Sequence, residues 1–169
     1  IKMGEKHNYT CGLDINNGEL IAGNNVGYFT VTDLRNFNLL QEFQVLRLKT
    51  AMITSFAVDH PNKIIIMGGP KLLQFSKTEM SQKIAEDEDV VFVQYNPHNL
   101  TFITVDGTSV LIWDAITGAV NLKFPNPTNV SNTCACVDKR FRRIFVGNHH
   151  GETRVLNLQT GEIMRTLDS

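Results

Sequence analysis

An apolar run closed by a Trp-Asp pair and a Thr-Gly turn occupies Ser109-Val110-Leu111-Ile112-Trp113-Asp114-Ala115-Ile116-Thr117-Gly118. This composition predicts a buried β-strand followed by a tight turn. The pattern returns 43 residues later, in a weaker form, as Thr153-Arg154-Val155-Leu156-Asn157-Leu158-Gln159-Thr160-Gly161. An internal repeat of this period is typical of chains that stack small sheets side by side.

Four segments share one layout, in which an apolar alternating run ends at an Asp or Asn and is followed by a polar turn and a second apolar run. The four anchors are spaced by 45, 37 and 42 residues and are Asp14, Asp59, Asn96 and Asp138. Four-stranded propeller blades repeat about every 40–45 residues. The sequence therefore predicts an all-β fold of about four blades, each of four antiparallel strands, with repeats at residues 7–46, 50–86, 89–125 and 130–168.

Each repeat is expected to end in an amphipathic fourth strand, because the outermost strand of a blade meets water on one side. These fourth strands are predicted at Leu39–Val45, Gln82–Ala85, Ala119–Phe124 and Glu162–Leu167.

Bulk composition describes a globular chain. Its 169 residues are 42% hydrophobic and 20% charged, which favours a packed core over disorder. A net charge of −1 argues against non-specific nucleic-acid binding. No apolar run approaches the roughly 18 residues of a membrane span, and three cysteines do not make a disulfide framework. We therefore predict a cytoplasmic protein with no transmembrane segment.

The third repeat resembles the WD-repeat (WD40) family of β-propellers. Asn96-Pro97-His98-Asn99 lies where that family has a polar turn, Asp106-Gly107 lies in its tight turn, and Trp113-Asp114 closes the third strand. The matching pairs elsewhere are Thr32-Asp33, Phe75-Ser76 and Leu156-Asn157, and no repeat opens with the family's Gly-His pair.

The resemblance implies a divergent member whose side-chain network of His, Asp, Ser/Thr and Trp is incomplete. It also implies structural roles for Trp113, Asp114, Asp106, Gly118 and Gly161.

Four repeats are fewer than the family's usual ring of about seven blades. Three arrangements fit: a segment of a longer propeller, a true four-bladed ring, or a ring completed by another chain. The first residue is Ile1 rather than Met, and the chain ends where a further repeat would begin. Both features favour the segment, with the remaining blades supplied by the same parent chain or by another.

Two charged runs are candidate partner-binding sites. In a propeller of the family, the loops that join fourth to first strands share one face with the turns between second and third strands. The resemblance therefore places Glu86-Asp87-Glu88-Asp89 and His149-His150 on one face, and Lys139-Arg140-Phe141-Arg142-Arg143 on the other. The acidic run suits a basic peptide, whereas a solvated loop is the plainer interpretation of such a run.

The basic run suits an acidic protein tail or an anionic lipid headgroup. Phe141-Arg142-Arg143 is similar to part of the Phe-Arg-Arg-Gly motif of phosphoinositide-binding propellers, with Ile144 in place of the Gly. A phosphoinositide-binding propeller is therefore one alternative function. A basic hairpin with Phe141 covering the blade rim is the plainer alternative.

Catalytic and metal-binding patterns are weak. Cys134 and Cys136 are separated by one residue, which is closer than the usual spacing in structural zinc sites, and cysteines in such strands are expected to be buried. No metal or other cofactor is predicted. An enzyme that uses the funnel of a propeller would have only His149, Asp106 and Glu88 as candidate groups, and no motif pairs them.

The sequence thus predicts a non-enzymatic scaffold that binds other protein subunits in a multi-subunit assembly. Large divergent propellers of this kind are frequent in cytoskeletal and ciliary assemblies, so the resemblance places the assembly in the cytoskeleton or in the axoneme of a cilium or flagellum.

Overall fold

The structure is a computed structural model, and it describes residues 8–14, 18–44, 52–59, 64–70, 73–76, 89–126 and 130–167. Every regular element in these ranges is a β-strand. The strands are β1 (Tyr9–Asp14), β2 (Glu19–Asn24), β3 (Tyr28–Asp33), β4 (Asn38–Gln44), β5 (Ser55–Asp59), β6 (Ile64–Gly68), β7 (Leu73–Ser76), β8 (Val90–Asn96), β9 (Thr101–Asp106), β10 (Ser109–Asp114), β11 (Val120–Pro125), β12 (Asn132–Val137), β13 (Arg143–Asn148), β14 (Thr153–Asn157) and β15 (Ile163–Leu167).

Each strand pairs antiparallel with its neighbour in sequence, and the strands form four separate sheets. Three sheets have four strands, in the orders β1-β2-β3-β4, β8-β9-β10-β11 and β12-β13-β14-β15, and the remaining described sheet is β5-β6-β7. The fourth strand predicted for the second repeat, Gln82–Ala85, lies outside the described residues. The chain divides into two compact units, Ile1–Asp87 and Glu88–Ser169, each of which holds two of the sheets.

The three four-stranded sheets carry irregularities at matching places. The register between first and second strands shifts at Tyr9/Cys11, Val90/Phe92 and Asn132/Cys134. The register between third and fourth strands shifts at Val31/Thr32, Ile112/Trp113 and Val155/Leu156. Such bulges bend a strand and increase its twist. The three sheets are therefore structural copies of one another in their bends as well as in their strand order.

The turns between third and fourth strands also repeat one design. Each opens on an Asp or Asn whose carbonyl oxygen accepts the N–H of the residue four positions later, in the pairs Asp33–Phe37, Asp114–Gly118 and Asn157–Gly161. The closing residue has a left-handed backbone, with φ of 58°, 69° and 72° respectively. Glycine adopts that conformation without steric cost, whereas Phe37 does not.

In the first unit, the core lies between the β1–β4 and β5–β7 sheets. Its buried members are Ile21, Phe29, Val31, Ile53, Phe56 and Met67. Gly23 lets the two sheets approach, because a Cβ atom there would lie 2.7 Å from Ile53 Cγ2.

In the second unit, the core lies between the β8–β11 and β12–β15 sheets. Its buried members are Ile103, Val105, Val110, Ile112, Ile144, Val146, Leu156 and Leu158. The opposite face of the β8–β11 sheet is buried as well, through Val93, Tyr95, Phe102, Leu111 and Trp113. Strand β9 is accordingly buried along its whole length.

The prediction of buried cysteines is wrong. Cys134 and Cys136 on β12 are free and exposed. Alternation along the strand turns Ala135 and Val137 toward the core of the second unit, so both thiols lie on the opposite face of the sheet. In the part of the second unit that the structure describes, nothing covers these thiols.

Candidate interaction surfaces

Trp113 lies at the end of β10 and is buried, with 8% of its surface exposed. Its indole Nε1 donates a hydrogen bond of 2.8 Å to Thr104 Oγ1 on the neighbouring strand β9. One link of the side-chain network that the resemblance implied is therefore present in this sheet. The Asp114 carboxylate accepts hydrogen bonds from the N–H groups of Ile116 and Thr117 at 2.9 and 2.7 Å, and so closes the following turn.

Asp106 is a buried carboxylate at the turn between β9 and β10. It accepts four hydrogen bonds of 2.6–3.0 Å, from the N–H and hydroxyl groups of Thr108 and Ser109. Burial by itself would raise the Asp106 pKa, but the hydrogen bonds from Ser109 and Thr108 outweigh burial and lower it. The carboxylate is thus held ionised as a cap for its own turn, which does not suit the role of a catalytic base.

Two asparagines join this turn to the next sheet. The Asn132 side chain donates to the Asp106 carbonyl oxygen at 3.0 Å, and the Asn126 main chain donates to the Thr108 carbonyl oxygen at 2.6 Å. The Asn126 amide also donates to Asn132 Oδ1 at 3.1 Å. Asn126 after β11 and Asn132 at the start of β12 are therefore both fastened to the β9–β10 turn.

A buried arginine extends this connection to the turn between β13 and β14. Arg154 Nη1 donates to Asn126 Oδ1 at 2.7 Å, and the Arg154 guanidinium binds both carboxylate oxygens of Glu152 at 2.9 and 2.6 Å. The hydrogen bond from Arg154 is the main reason why the Glu152 pKa lies below its usual value. The Asn148 amide donates to the same Glu152 carboxylate at 2.9 Å. We refer to Asn126, Asn132, Asn148, Glu152 and Arg154 as the polar clasp.

The clasp holds His149 and His150 at the tip of the β13–β14 turn. Asn148 Oδ1 accepts the N–H groups of His150 and Glu152 at 3.0 and 3.2 Å, which fixes the backbone on both sides of the tip. Both histidines are exposed, and their rings meet edge to face with centroids 4.4 Å apart. A cavity of about 20 Å³ between the two sheets, lined in part by Asn148 and Arg154, has room for about one water molecule.

The basic run lies at the opposite end of the same sheet, in the turn between β12 and β13. Asp138 Oδ1 accepts the N–H groups of Arg142 and Arg143 at 2.7 and 3.0 Å. Partial burial opposes ionisation of Asp138, but these hydrogen bonds and the charges of Arg143 and Arg140 outweigh it, and they lower the Asp138 pKa. A surface concavity of about 320 Å³ is lined by Asp138, Lys139, Arg140, Arg142 and Arg143.

Phe141 fixes the shape of this basic turn. It has a left-handed backbone with φ of 52°, and it is half-buried against the core of the second unit. Its ring meets that of His98 edge to face at 5.8 Å. The turn is therefore anchored by an aromatic contact rather than by a glycine.

The structure describes only part of the acidic run that was predicted as a partner-binding site. Glu86, Asp87 and Glu88 lie outside the described residues, and Asp89 is exposed just before β8. Within the described ranges, no group of three or more His, Cys, Asp or Glu side chains could hold a metal ion. The same ranges contain no helix with the length and apolar character that a membrane crossing requires.

The comparison with solved structures establishes the fold. The chain superposes on the β-propeller domain of Myceliophteria thermophila Cps50 (Swd1) with a TM-score of 0.76 at 15% identity, covering 99% of this chain and 56% of that one. It also superposes on a chain of the mitotic checkpoint complex with a TM-score of 0.80 at 12% identity, covering 98% of this chain and 52% of that one. The fold is a partial β-propeller. The likeness to WD-repeat propellers that the third repeat predicted is confirmed at the level of the fold.

One curated protein is similar to this propeller chain in sequence. It is cilia- and flagella-associated protein 337 B of Tetrahymena thermophila, which is 23% identical over 153 residues. The match covers 88% of this chain and 12% of that protein, so the chain spans a small part of the relative's length. No family model matches the chain.

Sequence patterns did not single out the members of the polar clasp, although Arg154 gave a usable signal. It is a charged residue inside an apolar strand, and a buried charge needs a partner. Its partner Glu152 is two residues away in the sequence, whereas Asn126 is 28 residues away and directly follows β11 of the neighbouring sheet.

Proposed function

We propose that this chain is part of a non-enzymatic scaffold that binds other protein subunits in a multi-subunit assembly. The observation that carries the proposal is the polar clasp, which holds His149 and His150 exposed at the tip of a fixed turn. A surface with a fixed shape loses little conformational entropy when a partner binds.

The hydrogen bonds of the loop face favour contact over catalysis. Asp106 is bound by its own turn, and Glu152 is bound by Arg154 and Asn148. A general base must be free to accept a proton from a substrate. These carboxylates instead stabilise the loops that a partner would touch.

We place the assembly in the cilium or flagellum, as part of its cytoskeleton. This placement is supported by the name of the Tetrahymena relative, which describes a cilia- and flagella-associated protein.

The exposed face of the β12–β15 sheet is proposed to receive a further propeller blade, from the same parent chain or from another. The two solved propeller chains extend well beyond the part that this chain covers. Cys134, Cys136 and Leu167 are exposed on this face, and a neighbouring blade would bury them.

Affinity purification of the tagged full-length protein from ciliated cells, with quantitative mass spectrometry, tests the scaffold role. We expect stable co-purifying subunits, and we expect the double variant His149→Ala/His150→Ala to reduce at least one of them by about tenfold, because a few central residues dominate most interfaces. The matched control Gln159→Ala/Glu162→Ala changes exposed residues at the other end of the same sheet. A full-length protein that purifies alone would overturn the proposal, and so would equal effects of the two double variants.

Localisation is tested by fractionating cilia after detergent extraction. The protein should remain with the axoneme, and its quantitative release with the membrane and matrix fraction would rule out the ciliary-scaffold placement.

A further inference from the structure

We propose that the turn between β12 and β13 is a docking site for an acidic polypeptide segment, whose carboxylates are bound by Arg140, Arg142 and Arg143. The proposal rests on the scaffold function above, because it names the chemistry of one protein partner. It concerns the basic end of the β12–β15 sheet and is independent of the His149–His150 tip at the other end.

The first observation is a concavity lined entirely by charged residues. Four of its five lining residues are cationic, and the fifth is Asp138. In the part of the chain that the structure describes, none of these four cations takes part in a salt bridge. The Asp138 carboxylate is bound by main-chain N–H groups at 2.7 and 3.0 Å rather than by a guanidinium. The guanidinium groups are therefore available to an incoming anion.

The second observation is that the turn is held in one shape. Phe141 has a left-handed backbone that bulky side chains rarely adopt, and its half-buried ring packs against His98 and the core. The Asp138 carbonyl oxygen accepts the Phe141 N–H at 2.9 Å, and the Arg143 carbonyl oxygen accepts the Asp138 N–H at 3.0 Å. A rigid turn keeps its cationic side chains close together before a ligand arrives, which favours binding.

The lining favours a polypeptide over a membrane surface. Membrane-binding surfaces combine basic residues with apolar ones that enter the headgroup region, whereas every residue lining this concavity is charged. The ionised Asp138, whose pKa is lowered, repels a phosphate group of charge near −2 more strongly than a single carboxylate of charge −1. A peptide can place separate carboxylates on separate guanidinium groups, whose planar fork matches a carboxylate.

Fluorescence anisotropy with the full-length protein and a labelled Glu-rich peptide tests the proposal. Exposed charge pairs each contribute up to about fivefold in affinity, so Arg142→Gln/Arg143→Gln should weaken binding by about tenfold. The control Arg35→Gln/Lys123→Gln removes the same charge from exposed positions in the β3–β4 turn and on β11, and it should change affinity by less than about twofold. Binding should also weaken as salt is raised.

Two results would overturn the proposal: no peptide binding, whether or not the protein floats with phosphoinositide-containing vesicles, or equal loss in both double variants. Because the arginine side chains are exposed, thermal unfolding of the variants should match that of the parent, which separates lost binding from lost folding. Co-purification of subunits without peptide binding would refute the docking site alone. Peptide binding without any co-purifying subunit would refute the scaffold function and leave the acidic-peptide site standing.

Discussion

Gly161→Ala is expected to destabilise the second unit through both backbone strain and a clash with a packed aromatic ring. Gly161 closes the β14–β15 turn with φ of 72°, so an alanine there must adopt a left-handed backbone. A Cβ atom would also lie 2.8 Å from both Cγ and Cε1 of Phe124, and closer still to Cδ1. Ordinary carbon–carbon contacts are about 3.5–4.0 Å, so the ring must withdraw by roughly 1 Å.

The magnitude follows from two separate costs. A left-handed non-glycine residue costs about 1–2 kcal/mol. Forcing an extra methyl group against a packed ring costs about 1–3 kcal/mol more, because Phe124 packs against the core of the second unit. The sum is about 2–5 kcal/mol, which lowers the melting temperature of a chain of this size by about 4–20 °C.

A double-mutant cycle followed by circular dichroism separates the two costs. In a Phe124→Ala background the ring is absent, so Gly161→Ala should cost only the backbone strain of about 1–2 kcal/mol. Gly118→Ala is a second control, because Gly118 closes the equivalent turn with φ of 69°. If Gly161→Ala costs the same with and without the Phe124 ring, the steric explanation is wrong.

Four further substitutions have expected outcomes. Phe37→Gly should raise the unfolding free energy by about 0.5–1 kcal/mol, because Phe37 is 58% exposed and the change relieves a left-handed backbone. Phe141→Gly relieves the same strain but removes a half-buried ring, so it should lower the unfolding free energy by about 1–3 kcal/mol. Denaturant titrations measure both changes. The Asp106 pKa is lowered in the folded protein. The ionised carboxylate therefore stabilises the fold above the unfolded-state pKa of about 3.9, and this contribution is lost as pH falls through the folded-state pKa. In Asp106→Asn, stability should fall less steeply with pH below about pH 4. Asn126→Ala removes one acceptor of the buried Arg154 and should cost about 1–3 kcal/mol, seen as faster amide exchange in β13 and β14.

Each of these perturbations has a control or a result that would contradict it. An unaltered pH dependence in Asp106→Asn would contradict the role given to Asp106. Asn121→Ala, on the exposed face of β11, should leave amide exchange in β13 and β14 as it is. A loss of stability in Phe37→Gly would show that the left-handed backbone of Phe37 carries no strain.

The strands were predictable because periodicity and turn residues report local structure directly. The apolar run ending at Trp113-Asp114 is strand β10, and its weaker copy ending at Asn157 is strand β14. The bulges were not predictable, because a register shift depends on pairing between two strands rather than on either strand alone.

The site was less predictable than the strands. The turns that present His149-His150 and the basic run follow from their Asn and Asp openers, Asn148 and Asp138. The clasp through Asn126 does not, because its partners are far apart in sequence. The exposure of Cys134 was mispredicted because burial of one face of the β12–β15 sheet depends on what packs against it. The sequence of β12 does not reveal whether another sheet covers that face.

The Asp and Asn openers of the turns have a consequence for how such a chain can change. An opener such as Asp114 or Asn157 closes its turn with its own side chain and main chain, so the side chains at exposed loop positions such as Ile116 and Gln159 are not needed to close it. The geometry of the turn is thereby independent of the residue before it. The strand end at Leu156-Asn157 lacks the Trp, yet its turn keeps the same closing hydrogen bond. Exposed loop residues can then change to suit the chemistry of a partner. A propeller can therefore acquire a new partner without a change in the strands of its blades.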